Sequence, residues 1–209
     1  MQYFIGLTFQ SRYLQFQKLD SFRSRYDSKY NRSNTTHLTL VPPFELPSMN
    51  KNQFHQWIEE LQEEIDGQLH GLSDVGQTTF EGIDFQDGER HLLFLKPKIS
   101  IDMNFVLELL ESSVKVIGGI QKSKLKRDES DHLYFPIGRF DNFLDLHTAL
   151  EEAKCEFSIP FQLHNKDIVL FERGPKQWLA THHLFSYASE QDKDWGSDFH
   201  RFSQGEPRK

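Results

Sequence analysis

The chain of 209 residues has one cysteine, Cys155, which excludes an intramolecular disulfide framework and any multi-cysteine metal site. It also lacks an excess of positive charge. Its 24 Lys and Arg stand against 31 Asp and Glu, a formal net charge of −7 with His neutral. A protein that coats nucleic acid or an anionic membrane through bulk charge is excluded by that balance, whereas a small local basic groove is not. Long hydrophobic runs are missing as well: the apolar stretches are short and broken by charge, so no membrane-spanning helix is expected. The first residues, MQYFIGLTFQSRYLQF, have no basic segment before the apolar one and no small-residue cleavage site, so no signal peptide is expected. The expected setting is therefore a reducing cytoplasm, with no membrane partner and no disulfide partner.

What is present is enough for a core. Hydrophobic residues make up 37% of the chain, including 19 phenylalanines, so disorder throughout is not expected. Residues 3–9 read as a buried strand. Residues 11–26 carry Tyr13, Phe16, Leu19, Phe22 and Tyr26 at helical spacing. Residues 37–41 read as a short strand that stops at Pro42-Pro43. A helix is expected over 48–66, where Phe54, Trp57, Ile58, Leu61 and Ile65 form one stripe and Gly67 marks the end. Strands over 78–86 and 90–96 flank Asp87-Gly88, a hairpin signal. A helix over 102–117 ends at Gly118-Gly119, and residues 122–131 form a polar, locally basic loop. A strand over 132–140 leads to a helix over 141–154, capped by Asp141 or Asn142. Three further strands are expected over 157–163, 168–172 and 177–186, before a polar tail over 188–209.

The order contains an echo. In each half a strand opening on His precedes a helix, then a Phe-Gln pair (Phe85-Gln86, Phe161-Gln162), a turn and an apolar strand. Chance similarity between amphipathic hairpins is the alternative to an internal repeat. The repeat implies an α+β fold of two pseudo-symmetric lobes in one bilobal domain over residues 1–187.

The two His strands carry the chemistry. In HLTL at 37–40, alternation puts His37 and Thr39 on one face and the leucines on the other. In HLYF at 132–135 it pairs His132 with Tyr134. Each half thus offers an imidazole and, two residues on, a hydroxyl, with the imidazoles 95 positions apart. Two groups with pKa values near neutrality can divide the work at a phosphodiester. One takes the proton of the attacking hydroxyl or water, and the other protonates the leaving oxygen. The hydroxyls can hold the non-bridging oxygens as charge builds. Such chemistry needs no metal and no cofactor. For either histidine alone, a core or surface role is the ordinary reading.

These two motifs resemble the paired H-x-T/S signatures of the 2H phosphoesterase superfamily, which includes 2′–5′ RNA ligase-like and cyclic phosphodiesterase proteins. FRSRYD at 22–27, shortly before HLTL, is similar to the YjcG-like branch. The resemblance covers about residues 1–187 in order of elements. It implies a central groove, with His37 and His132 as the acid/base pair and Thr39 on phosphate. It also implies a substrate that is an RNA end or a small 2′,3′-cyclic or 2′–5′-linked nucleotide, handled by a monomer. The second motif departs from the pattern: Tyr134 stands where Thr or Ser is usual, and a phenol donates from farther out. Pro136 cannot donate to a sheet, so its strand is expected at an edge or a bulge. Arg139 either supplies phosphate binding or is an exposed strand-end arginine.

Other candidates read as structural. His182 and His183 are consecutive on a strand and face opposite ways. His55, His70, His91 and His147 read as packing or surface residues, and Cys155 as a small core residue at a strand start. Arg23, Arg25 and Tyr26 read first as the solvated face of a helix, with phosphate or base contact as the alternative. Lys122, Lys124, Lys126 and Arg127 form the densest basic run and read as a solvated loop. The leading expectation is a metal-independent phosphodiesterase, hydrolytic or ligase-like. Its rival is a non-catalytic RNA or nucleotide-phosphate binding module on the same fold, and a third reading is an α+β protein with no phosphate site.

Overall fold

The structure, a computed structural model, describes residues 1–30, 35–69, 76–88, 90–121, 133–175 and 177–187. His132, His70, the basic run at 122–127 and the tail at 188–209 lie outside the described residues. The elements run β1 (Gln2–Phe9), α1 (Leu14–Tyr26), β2 (His37–Glu45), α2 (Lys51–Leu69), β3 (Gln77–Gln86), β4 (His91–Pro97) and α3 (Ile101–Val116). They continue with β5 (Ile120–Gln121), β6 (Phe135–Phe140), α4 (Phe143–Glu156), β7 (Phe161–Arg173) and β8 (Trp178–Ser186). No helix among these residues is long and apolar enough to cross a membrane.

Local chemistry explains the helix limits. Ser100 caps α3 by accepting from the Met103 N–H, and Gly118, at φ 76°, ends it in the left-handed region. Asn142 caps α4 by accepting from the Asp145 N–H. For α1 no side chain caps the start at Tyr13, and the helix is held by burying Leu19 and Phe22 completely.

The strands form one antiparallel sheet in the order β5-β2-β1-β7-β3-β4-β6, with β8 also on β7. Strand β7 is the hinge between its two parts. Residues 161–164 pair with β3, and residues 165–172 pair with β1. The helices divide accordingly: α2 packs on β8 and α3 on β2, whereas α1 lies against β6 and α4 against β3, β4 and β6. The result is an α+β fold with two sheet-and-helix lobes. The sheet curls, because β2 and β6, near opposite ends of the pairing path, touch. Phe9, Phe80 and Phe135 meet inside that curl, with ring centroids 5.8–6.4 Å apart. One hydrophobic cluster therefore spans both lobes.

Several expectations need correction. The strands expected over 157–163 and 168–172, with a turn between, are a single strand from Phe161, while Phe157 caps the end of α4. The polar residues that suggested a turn are instead paired inside the sheet. Asn165 is fully buried: its Oδ1 accepts from the Thr78 hydroxyl at 2.7 Å, its carbonyl from Gln10, and its N–H donates to Gly76. The second hairpin of the expected repeat is absent for that reason, and the lobes are not repeats of one another there. Strand β2 does not stop at Pro42-Pro43. It runs on to Glu45, anchored by fully buried Phe44, and its register with β1 shifts between Tyr3 and Gly6, beside the prolines. Helix α2 runs through Gly67, because buried Leu69 extends its apolar stripe. Cys155 is an exposed residue of α4, not a core residue at a strand start. Pro136 sits where expected: β6 ends the pairing path, and its register with β4 slips between Leu93 and Phe94.

Phe80 joins the lobes from the middle of the shared core. The expected cost of Phe80→Ala is about 3–5 kcal/mol. In urea denaturation both lobes should unfold in one transition at lower denaturant; separate transitions would contradict the single core.

Candidate functional site

Residues 37–39 open β2 with the alternation read from the sequence: Leu38 is 1% exposed in the core, while His37 and Thr39 are half-buried on the other face. Direct pairing puts Thr8 opposite His37 and Gly6 opposite Thr39. Gly6 makes room for the imidazole. A Cβ there would stand 3.3 Å from His37 Cδ2 and 3.2 Å from the rings of Phe4 and Phe171. The imidazole therefore lies on those two phenylalanines, with centroids 4.7 and 4.9 Å away. Phe4 and Phe171 stack on each other at 4.5 Å, and Trp178 meets Phe4 edge-on.

The His37 Nδ1–H donates to the Thr35 carbonyl at 2.8 Å, which leaves the Nε2 lone pair as the reactive one. Burial is the main influence on its acidity and lowers the pKa from 6.5 to about 4. The Thr35 carbonyl opposes that shift, and the charges of Arg23 and Arg139 add to it. The ring is accordingly neutral at pH 7.

Those two arginines belong to a buried ion cluster beside the site. Asp27, just past the end of α1, has a fully buried side chain. Its Oδ2 accepts from Arg23 Nη2 at 3.0 Å, and its Oδ1 from Arg139 Nη1 and from the Lys29 N–H. Burial alone would raise the Asp27 pKa, but hydrogen bonds and charge from Arg139 and Arg23 hold it below the usual carboxylate value. Arg23 Nη1 also donates to the Thr36 hydroxyl at 3.0 Å, and that hydroxyl donates to Asp20 at 3.2 Å. The cluster thus links α1, the entry to β2 and β6. Gly138 permits the approach, since a Cβ there would lie 3.3 Å from the Tyr26 carbonyl oxygen.

The sequence candidates divide as follows. His37 and Thr39 share one sheet face, and Arg139 stands within electrostatic reach of His37. Arg139 is not an exposed strand-end residue, because its guanidinium is committed to Asp27. Tyr134 lies just before β6, 42% exposed, with its ring 5.4 Å from Phe94. Arg25 does lie on the solvated face of α1, bound to Glu152 and Glu156. Arg23 is mostly buried, contrary to that reading. Asp27, Thr36 and Gly6 were not singled out for the site, and Arg23 was weighed for it only as the alternative to a solvated helix face. The one usable signal was the Arg23–Asp27 spacing of four, which fits a helical ion pair.

Five of the six remaining described histidines have other contacts. His91 pairs with Asp87 at 2.7 Å, His183 with Asp167 at 3.4 Å, and His164 stacks on Tyr13 at 3.8 Å. His182 packs on Phe54, on the face opposite to His183, and His55 donates to the Lys51 carbonyl. Among the described residues, no group of three or more His, Cys, Asp or Glu side chains is placed to hold a metal ion.

No protein-family model matches the chain, and no curated protein matches it. Among solved structures it is similar to Kluyveromyces marxianus Usb1, at 12% identity and a TM-score of 0.44, over 81% of this chain and 92% of that one.

Two outcomes are expected. His37 has a folded-state pKa below its unfolded value, so the unfolded chain binds the extra proton first, and folding stability falls as pH drops from about 6.5 toward about 4. In His37→Gln, pH-dependent denaturation should lose that share of the slope; an unchanged slope would contradict the buried neutral imidazole. Asp27→Ala leaves two arginines facing each other, and its expected cost is about 3 kcal/mol by denaturant titration.

Proposed function

We propose that the chain is a metal-independent phosphoesterase of the 2H type. It acts on RNA ends or small 2′,3′-cyclic or 2′–5′-linked nucleotides, within a single domain over residues 1–187. The observation that carries this reading is His37 itself: its Nδ1–H is tied to Thr35, its Nε2 is left as the acceptor, and Thr39 stands on the same face.

In the proposed reaction, His37 and His132 divide general acid and general base catalysis. The Thr39 hydroxyl donates to a non-bridging phosphate oxygen, and Tyr134 and Arg139 are the candidates for the remaining phosphate contacts. The lowered pKa of His37 suits an anionic substrate. A phosphate arriving beside the ring offsets the neighbouring arginine charges and raises the imidazole pKa toward neutrality. The base then gains affinity for a proton only once a phosphodiester is bound. Contact between β2 and β6 supports the same reading, since β2 carries one motif and β6 begins where the other ends.

Tyr134 favours a second reading, a binding module without turnover. It is exposed and leans on Phe94, in the place where a short hydroxyl is usual for phosphate.

The test is turnover of 2′,3′-cyclic-phosphate and 2′–5′-linked dinucleotides in the presence of EDTA. Wild type should turn over, and His37→Ala and His132→Ala should each lower kcat by about 10²–10⁴-fold. Full turnover in both variants would overturn the mechanism, and loss of wild-type turnover in EDTA would overturn metal independence. Saturable binding with no turnover by wild type would establish the second reading.

A further inference from the structure

Leu38 and Leu133, the residues that follow His37 and His132 in the chain, line one cavity of about 300 Å³. Met103 joins them in its apolar part, and its polar part is formed by Gln77, Thr79, Lys98, Ser100 and Gln162. Cavities that take organic ligands run from about 300 to 1,000 Å³, so this one suits a single ring system and not a whole dinucleotide.

Its polar groups point to a neutral ring, not an anion. The N-terminus of α3 opens on the cavity, but Ser100 already caps it by accepting from the Met103 N–H at 3.1 Å. Among the described residues, Lys98 is the only cation in the lining, and it is exposed. The two glutamines are held by neighbours on β3 and β7: the Gln162 amide donates to the Thr79 hydroxyl at 3.2 Å, and the Gln77 amide lies 3.4 Å from His164 Nδ1. Fixed in this way, each amide keeps its other end for a ligand. An amide offers a donor and an acceptor side by side, as the edge of a nucleobase does.

We infer that this cavity is a nucleobase pocket, with Gln77 and Gln162 on the edge of the base and Leu38, Met103 and Leu133 against its ring. The inference rests on the phosphoesterase reading for the choice of a nucleotide as ligand. Leu38 faces the core while His37 faces the other side of β2, so the base and the reacting phosphate lie on different sides of that strand's entry. The pocket therefore binds the base of a nucleotide flanking the reacting bond and discriminates among RNA ends by base.

Calorimetry or NMR titration with adenosine, cytidine, uridine and inorganic phosphate tests it on the full chain. Nucleosides should bind wild type without phosphate and shift resonances of residues 77–79 and 162. Gln77 and Gln162 are exposed, so Gln77→Leu and Gln162→Leu should fold and melt as wild type does. Each should weaken nucleoside binding about tenfold, the loss of one hydrogen bond to a partly buried partner. His37→Ala should leave nucleoside binding unchanged. Nucleoside binding that is absent, or unaffected by both glutamine variants, overturns the pocket whether or not the protein turns over cyclic phosphates. Nucleoside binding lost in those variants, with no turnover by wild type, keeps the pocket and overturns the phosphoesterase reading.

Discussion

A buried carboxylate without partners costs several kcal/mol, and Asp27 has none of its side chain in water. Its partners therefore have fixed places. Arg23 reaches it from the preceding turn of α1, the Lys29 N–H from the following loop, and Arg139 from β6. Arg23 continues to Thr36, one residue before His37 and one after the carbonyl that fixes the His37 tautomer. The carboxylate thus sets where the entry to β2 stands relative to β6. Neither strand edge could adopt that separation independently, because the pairing path joins them only through five other strand contacts.

The same cluster adds to what keeps His37 neutral. Burial against Phe4 and Phe171 is the larger effect, and the arginines reinforce it. A solvated imidazole would be partly charged near neutral pH and would attract any phosphate. In the proposed site, one held neutral would favour ligands that bring negative charge close to it and exclude water. Gly6 suits this arrangement, since a Cβ there would stand 3.2–3.3 Å from the rings of Phe4, Phe171 and His37 and would press on all three.

Much of the fold was legible because burial is one-sided in most elements. The stripe of α2 and the alternation of β2 follow directly from apolar spacing, and the Asp87-Gly88 turn does join β3 to β4. What misled was polar sequence inside the sheet. His164-Asn165-Lys166 has the composition of a turn, yet Asn165 makes its hydrogen bonds to β3 and to the residue after β1, partners remote in sequence. Arg23 misled for a related reason: a charged residue on a helix reads as solvated until its buried partner is known. Of the candidate site, His37 and Thr39 were legible from alternation alone. The bed of Phe4, Gly6 and Phe171 was not, because it brings β1 and β7 under the His37 of β2 in registers that no local pattern encodes. Neither was the link from Arg139 to Asp27, which spans 112 positions.

The long strand β7 bears on how such a site can work. An internal repeat would give each lobe its own hairpin, and the lobes could then hinge about a linker. Here residues 161–164 belong to one lobe's ladder and 165–173 to the other's, and both stretches lie on one continuous strand, whose register with β1 shifts between Asn165 and Ile168. Opening the lobes would have to bend a strand buried at most of its positions, expose the shared phenylalanines and pull Thr36, at the entry to β2, from Arg23. Those costs add, because they involve different residues and different interactions. The two lobes are therefore held in one fixed relation, and a ligand of the proposed site would meet a preformed surface. A preformed site avoids the ordering cost of closure and so suits a small ligand, which has few contacts with which to offset it.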